Sequence, residues 1–205
     1  MQKYIDETKF ATSSLIDLIW EDFASLENLN AELKRLTAEF NVKYQVFMAN
    51  EFHPAANYYH AQMAKVAQPK RELENHIKEV SQSIDAKSVS IAALSGALLQ
   101  IAKQCISLRY GKPQNAPDGE NIGGVLVKDI IFEGRNQSIH YENPKEISVN
   151  VINLFGKLDA IRNDGVVWDA RSQVNFAFEI VRLLGWRTHN DFVDHLKSIK
   201  SKKSS

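Results

Sequence analysis

The side chains best suited to chemistry lie in one short segment, residues 132–144, which reads FEGRNQSIHYENP. It contains Arg135, Asn136 and His140. Arginine offers a fixed pair of donors for phosphate oxygens, and histidine exchanges a proton near neutral pH. A guanidinium, an amide and an imidazole at one edge are sufficient for metal-free cleavage of RNA, in which a 2′-hydroxyl attacks the adjacent phosphate.

The spacing within this segment places the three groups on a helix end. Asn136 and His140 are four residues apart and share one helix face, whereas Arg135 and His140 project about 140° apart. A structural interpretation stays open, in which Arg135 pairs with Glu133 or Glu142 on the surface and His140 acts as a C-terminal residue that favours the helix dipole.

Two other arginines have a histidine at comparable spacing. Arg71 precedes His76, but glutamates follow the arginine and lie within the interval, where they would repel phosphate. Arg182 precedes His189 across the helix end that is predicted at Gly185. Only the match at 135–140 has an asparagine after the arginine and a long apolar helix before it.

This segment resembles the signature of the HEPN superfamily, a group of all-helical proteins with the pattern Arg-x4-6-His. The resemblance implies a helical bundle over roughly residues 88–200 that dimerises, so that two copies of the motif converge in a cleft. Many members are metal-independent endoribonucleases. The implied function is therefore cleavage of RNA to a 2′,3′-cyclic phosphate, without cofactor or metal.

The resemblance also implies roles for individual residues. His140 moves the proton, Arg135 binds and stabilises the scissile phosphate, and Asn136 orients one of them or the substrate. Tyr141 and Gln137 are assigned to substrate binding. The expected partners are RNA, a second copy of the chain, and an antitoxin or regulatory protein, as in a toxin–antitoxin or phage-defence setting.

Two other functions stay open. The first is a non-catalytic dimeric HEPN-like module that binds RNA, a nucleotide or a partner protein through the same cleft. The second is an interaction protein that works through its N-terminal helices.

Two apolar seams predict these N-terminal helices. Steps of three and four residues are typical of a heptad seam, and two seams of similar length around residues 50–54 predict an antiparallel helical hairpin. The first seam comprises Leu26, Leu29, Leu33, Leu36, Phe40 and Phe47, and the second Tyr59, Met63, Val66, Leu73, Ile77, Val80 and Ile84. We predict an all-α chain with a hairpin over 1–86, a HEPN-like bundle over 87–200 and a basic tail over 201–205.

Further helices must position the motif. A small-residue helix over 88–108 is expected at the centre, followed by a loop over 111–119 and a helix from near Val125 to His140. Asn143, Pro144 and Glu146 predict a new helix start with a capping box. A later helix is expected to end at Gly185, and Thr188 and Asp191 should cap a last one.

The composition excludes several classes of protein. A single cysteine, Cys105, excludes a disulfide framework and a cysteine-based zinc cluster among the 205 residues. The balance of 25 basic and 25 acidic side chains gives no bulk attraction to nucleic acid, so any contact needs a local patch. No apolar run approaches the ~20 residues of a membrane helix, and no leader is visible. We therefore expect a cytoplasmic protein with no membrane partner.

Overall fold

The structure is a computed structural model that describes residues 1–51, 56–161 and 165–199. The described side chains exclude those of residues 43, 46, 47, 49–51 and 56–70. The helices are α1 (Gln2–Glu51), α2 (Ala56–Tyr110), α3 (Val127–His140), α4 (Val149–Ile161), α5 (Ala177–Leu183) and α6 (His189–Ser198). The all-α class is confirmed, and the HEPN-like arrangement stays a prediction.

One small sheet was not predicted. Strands β1 (Asn121–Ile122) and β2 (Val125–Leu126) pair antiparallel and are joined by two glycines. Gly123 and Gly124 have φ values of 59° and 87°. A two-residue hairpin turn needs positive φ at both central positions, which glycine adopts without steric cost. The turn follows one 3₁₀ turn at Pro113–Asn115 in the predicted loop.

The chain divides into two compact units. Unit one comprises residues 1–21 and 90–205, and unit two comprises residues 22–89. Unit one therefore includes the first 21 residues, which belong to the N-terminal hairpin predicted from the sequence. The predicted domains 1–86 and 87–200 stay a prediction, and the tail 201–205 lies outside the described residues.

Unit two consists of the facing parts of α1 and α2. The predicted seams meet there, because buried Leu36, Leu73 and Val80 pack with Leu29, Leu33, Phe40, Ile77 and Ile84. Ion pairs join Lys87 to Asp22 at 2.5 Å and His76 to Glu32 at 3.4 Å, so the two segments run in opposite directions. Residues 52–55 and the side chains of Phe47, Tyr59, Met63 and Val66 lie outside the described parts, so the complete hairpin stays a prediction.

Unit one is built around α3. This helix packs against α4 and α5, and its Ile130 and Ile131 are fully buried. A Cβ on Gly96 would lie 3.6 Å from Ser138 Oγ, and Gln100 accepts a hydrogen bond from Arg135, so α2 and α3 run in opposite directions where they meet.

The expected helix start at Asn143 is wrong. Residues 141–148 form turns, and α4 begins only at Val149, where the Ser148 hydroxyl accepts a hydrogen bond from the Val151 amide at 3.3 Å. Asn143 and Glu146 do bond to each other, but through side chains across a turn. Residues of the types that cap helices thus form a turn here, and Ile147 is buried before the helix begins.

Two predictions for the C-terminal part of the chain are confirmed, the end of one helix at Gly185 and the capped start of the next. α5 ends before Gly185, which has a φ of 66°, the left-handed conformation that glycine favours after a helix. Thr188 and Asp191 form the expected capping box at the start of α6. Burial raises the pKa of Cys105 to about 11, which fits an inert core thiol.

One described helical segment, Arg71–Tyr110, contains an 18-residue window with a mean hydropathy of 1.4. By length and composition alone this window could cross a membrane, contrary to the expectation that no run would qualify. A core helix of a soluble protein passes the same test, and 39% of the window is buried inside the protein. The fold is compatible with a soluble protein.

Two helical glycines give a paired test of the packing. A Cβ on Gly134 would lie 3.0 Å from Ile180 Cγ1, and Ile180 is fully buried, whereas a Cβ on Gly156 meets nothing within 4 Å. We expect Gly134→Ala to lower the free energy of unfolding by about 1–3 kcal/mol through overpacking. Gly156→Ala should raise it by about 0.5–1 kcal/mol, because alanine favours the helix. Urea unfolding measures both, and equal effects would contradict the close α3–α5 contact.

Candidate active site

His140 ends α3 and faces a carboxylate across the following turn. Its Nδ1 lies 3.1 Å from Glu146 Oε2, and 42% of the imidazole side chain is exposed. Glu146 is held in turn by Asn143, whose Nδ2 donates to Oε1 at 2.7 Å. When Nδ1 carries the proton and donates it to Glu146, Nε2 presents a lone pair, and Nε2 has no hydrogen-bond partner among the described residues.

A cavity of about 210 Å³ adjoins this pair. It is lined by Asn136, His140, Glu146, Ile147, Ser148 and Val151. Asn136 and His140 therefore share one cavity, as their four-residue spacing predicts. Arg135 does not line it, which agrees with the wide angle expected between Arg135 and His140.

Arg135 points toward α2. Its Nε donates to Gln100 Oε1 at 2.5 Å, and no ion pair within 4 Å joins it to Glu133 or Glu142, all three being described residues. The surface pairing considered from the sequence is therefore not formed. The bond to Gln100 fixes the guanidinium through Nε and leaves the two terminal amino groups for a phosphate.

A second cation stands beside Arg135. Burial and the neighbouring charge of Arg135 lower the pKa of Lys103, and burial also lowers the pKa of Arg135. The charge of Arg135 acts on Lys103, so the two cations lie close together, and an anion bound between them would relieve their repulsion. Lys103 and Arg135 therefore provide local positive charge, although the chain as a whole has no net charge.

Asn136 connects the cationic and acidic sides of α3. Its Oδ1 accepts from Lys103 Nζ at 3.4 Å, and its Nδ2 donates to Glu133 Oε2 at 3.1 Å. Burial raises the pKa of Glu133, while the bond from Asn136 and the charge of Lys103 oppose that shift. Both ends of the amide are thus oriented, which fits the positioning role expected for Asn136.

Gln137 has a different role from the substrate contact expected from the sequence. Its side chain is fully buried, its Nε2 donates to the Val174 carbonyl at 2.7 Å, and its Oε1 accepts from the Phe176 amide at 3.1 Å. The amide thereby ties α3 to the segment that leads into α5. Because both polar ends are bonded inside the protein, we assign Gln137 to the support of the site.

Tyr141 stays at the surface beside the motif. Its hydroxyl donates to Glu142 Oε1 at 3.0 Å, and this hydrogen bond raises the pKa of the phenol. Tyr141 does not line the His140 cavity, and its contact with a substrate stays a prediction.

The two other arginine–histidine matches are engaged elsewhere. His76 pairs with Glu32 in unit two, and His189 Nδ1 lies 2.8 Å from the Thr12 hydroxyl in unit one. Burial and the charge of Lys9 lower the pKa of His189. These contacts support the choice of 135–140 as the candidate motif.

Several residues of the site were missed from the sequence. Glu146 was interpreted as a helix cap, and Gln100 and Lys103 were not singled out. Glu133 lies three residues before Asn136 on the same helix face. This spacing was the sequence signal that polar side chains lie side by side along α3. Among the described residues, no group of three or more His, Cys, Asp or Glu side chains is placed to hold a metal ion.

Comparisons with protein-family models, with curated proteins and with solved structures find no match to this chain.

Removal of the Gln137 amide tests its supporting role. Gln137→Ala removes the partners of the Val174 carbonyl and of the buried Phe176 amide, so the free energy of unfolding should fall by about 2–4 kcal/mol. Gln114→Ala is the matched control, because Gln114 is exposed and should change stability by no more than about 0.5 kcal/mol. Urea unfolding measures the free energy of unfolding of both variants. Equal values for Gln137→Ala and Gln114→Ala would contradict the supporting role of Gln137.

Proposed function

We propose that this protein is a metal-independent endoribonuclease of the HEPN type, which cleaves RNA by attack of a 2′-hydroxyl on the adjacent phosphate. The observation that carries the proposal is the His140–Glu146 pair at 3.1 Å in a surface cavity shared with Asn136. The carboxylate orients the imidazole through Nδ1, so that Nε2 can accept the proton of the 2′-hydroxyl.

The phosphate requires positive charge as well as a base. Arg135 offers two terminal amino groups, and Lys103 adds a second cation beside it. Charge that develops on the phosphate oxygens in the transition state is stabilised by such fixed donors. Asn136, bonded to Lys103, links this cationic side to the cavity of His140.

The separation of Arg135 from the His140 cavity favours a composite site. In the proposed homodimer, a two-fold axis brings two copies of the motif into one cleft, because the same patch faces itself across such an interface. The phosphate at His140 would then be bound by Arg135 of the partner subunit. In this proposal the hairpin over 1–86 precedes the HEPN-like bundle over 87–200.

The proposed setting is cytoplasmic. RNA is the substrate, no membrane takes part, and an antitoxin or regulatory protein would keep the activity in check. The toxin–antitoxin or phage-defence context follows from the resemblance of the 135–140 segment alone.

Incubation of the purified chain with transfer RNA in excess EDTA tests the proposal. The wild type should cleave and leave 2′,3′-cyclic phosphate ends. His140→Ala should lower the rate by about 100-fold or more, because the proton acceptor is lost. Arg135→Ala should lose activity as well, since the phosphate loses its fixed donors.

His76→Ala is the matched control, because it removes an exposed histidine from the second arginine–histidine match. Its rate should stay within about twofold of the wild type. Equal cleavage by wild type and His140→Ala would overturn the assignment. If the protein is a dimer that binds RNA through Arg135 but does not cleave it, the non-catalytic binding module is the correct function.

A further inference from the structure

A second, larger cavity lies between α3 and α4. Its volume is about 500 Å³, and Gly124 and Leu126 of the small hairpin form part of its wall. None of the five sequence-predicted site residues lines it. A cavity of this size falls within the roughly 300–1,000 Å³ typical of sites for small organic groups.

The α3 wall of this cavity presents hydrogen-bond acceptors. Asp129 and Glu133 are four residues apart and share one helix face. Asp129 has no hydrogen bond or ion pair within 4 Å to another described residue, and Glu133 uses only Oε2, toward Asn136. Burial raises the pKa of both carboxyl groups, and the charges of Lys128 and Lys157 oppose the shift at Asp129.

The α4 wall presents one ammonium group and two side-chain amides, all of which can donate hydrogen bonds. Asn150, Asn153 and Lys157 follow each other at steps of three and four residues, so their side chains lie on the face that lines the cavity. All three are exposed and make no hydrogen bond to another described residue. Lys128 is different, because its ammonium is held by the Ala116 carbonyl at 2.7 Å and by Asp118 at 2.9 Å.

The larger cavity adjoins the His140 cavity. Glu133 lines the larger cavity and Asn136 lines the His140 cavity. The hydrogen bond between these two side chains is 3.1 Å long. Glu133 and His140 are seven residues apart on α3, which is about 10 Å along the helix axis. A group bound beside Glu133 in the larger cavity therefore lies about two helical turns from His140 along α3.

We infer that the larger cavity binds a guanine base of the RNA, next to the phosphate that the His140 site cleaves. This inference rests on the proposed nuclease function. Guanine carries two adjacent N–H donors on its Watson–Crick edge, which suit the carboxylates of Asp129 and Glu133. Its other edge carries the O6 and N7 acceptors, which suit Lys157 and the two asparagine amides.

The other RNA bases fit this arrangement less well. Adenine and cytosine each present one amino group beside a ring-nitrogen acceptor, and a carboxylate repels that acceptor. Uracil presents a single N–H between two carbonyl oxygens. The two carboxylates of the α3 wall therefore favour guanine, whose Watson–Crick edge offers two adjacent donors.

Isothermal titration with free nucleosides tests base selection separately from cleavage. Guanosine should bind at least about tenfold more tightly than adenosine, and also than inosine, which lacks the 2-amino group. Asp129→Asn keeps the shape of the side chain and should weaken guanosine binding by at least about tenfold. Asp194→Asn, an exposed position that does not line the cavity, should bind guanosine as the wild type does.

Cleavage of short RNAs that differ at one base separates the failure of this inference from that of the nuclease. Preferred cleavage beside guanine, reduced to no preference in Asp129→Asn, supports the inference. Cleavage at all bases alike, with no preference for guanosine in the titration, overturns the guanine site and leaves the nuclease intact. Selective guanosine binding without any cleavage in EDTA keeps the guanine site as a nucleotide site and overturns its role in RNA cleavage.

Discussion

Helix α3 must bury one side completely while it keeps a row of polar side chains usable on the other, and the whole of unit one depends on this constraint. Ile130 and Ile131 are fully buried, and Gly134 has no side chain because Ile180 of α5 occupies that space. On the other side Asp129, Glu133, Asn136 and His140 follow each other at steps of four, three and four residues, which keeps them in one row. Both cavities open along this row.

The buried Gln137 amide completes this arrangement. Its two polar ends are the hydrogen-bond partners of the Val174 carbonyl and the Phe176 amide. Phe176 then packs with Trp168 and Phe155, at ring distances of 5.6 and 5.3 Å. A polar side chain in the motif thus fixes the aromatic core, and the segment before α5 cannot move without leaving polar groups unpaired.

The sequence predicted what depends on neighbours in the chain and missed what depends on distant contacts. The capping box at Thr188, the end of α3 at His140 and the shared face of Asn136 and His140 follow from local spacing, and all three are confirmed. The partners Gln100 of Arg135 and Val174 of Gln137 lie 35 and 37 residues away, and no local pattern encodes them. Glu146 was misinterpreted because its turn bonds resemble those of a helix start.

The role proposed for Glu146, which is to orient His140 for proton transfer, is tested by the rate of RNA cleavage in EDTA by Glu146→Gln. The substitution keeps the shape of the side chain and removes its charge, so the rate should fall by about tenfold or more with the fold intact. Glu142→Gln is the matched control, because Glu142 contacts Tyr141 and does not line the His140 cavity, and it should cleave at the wild-type rate. Equal rates for Glu146→Gln and the wild type would show that Glu146 does not orient His140 for proton transfer.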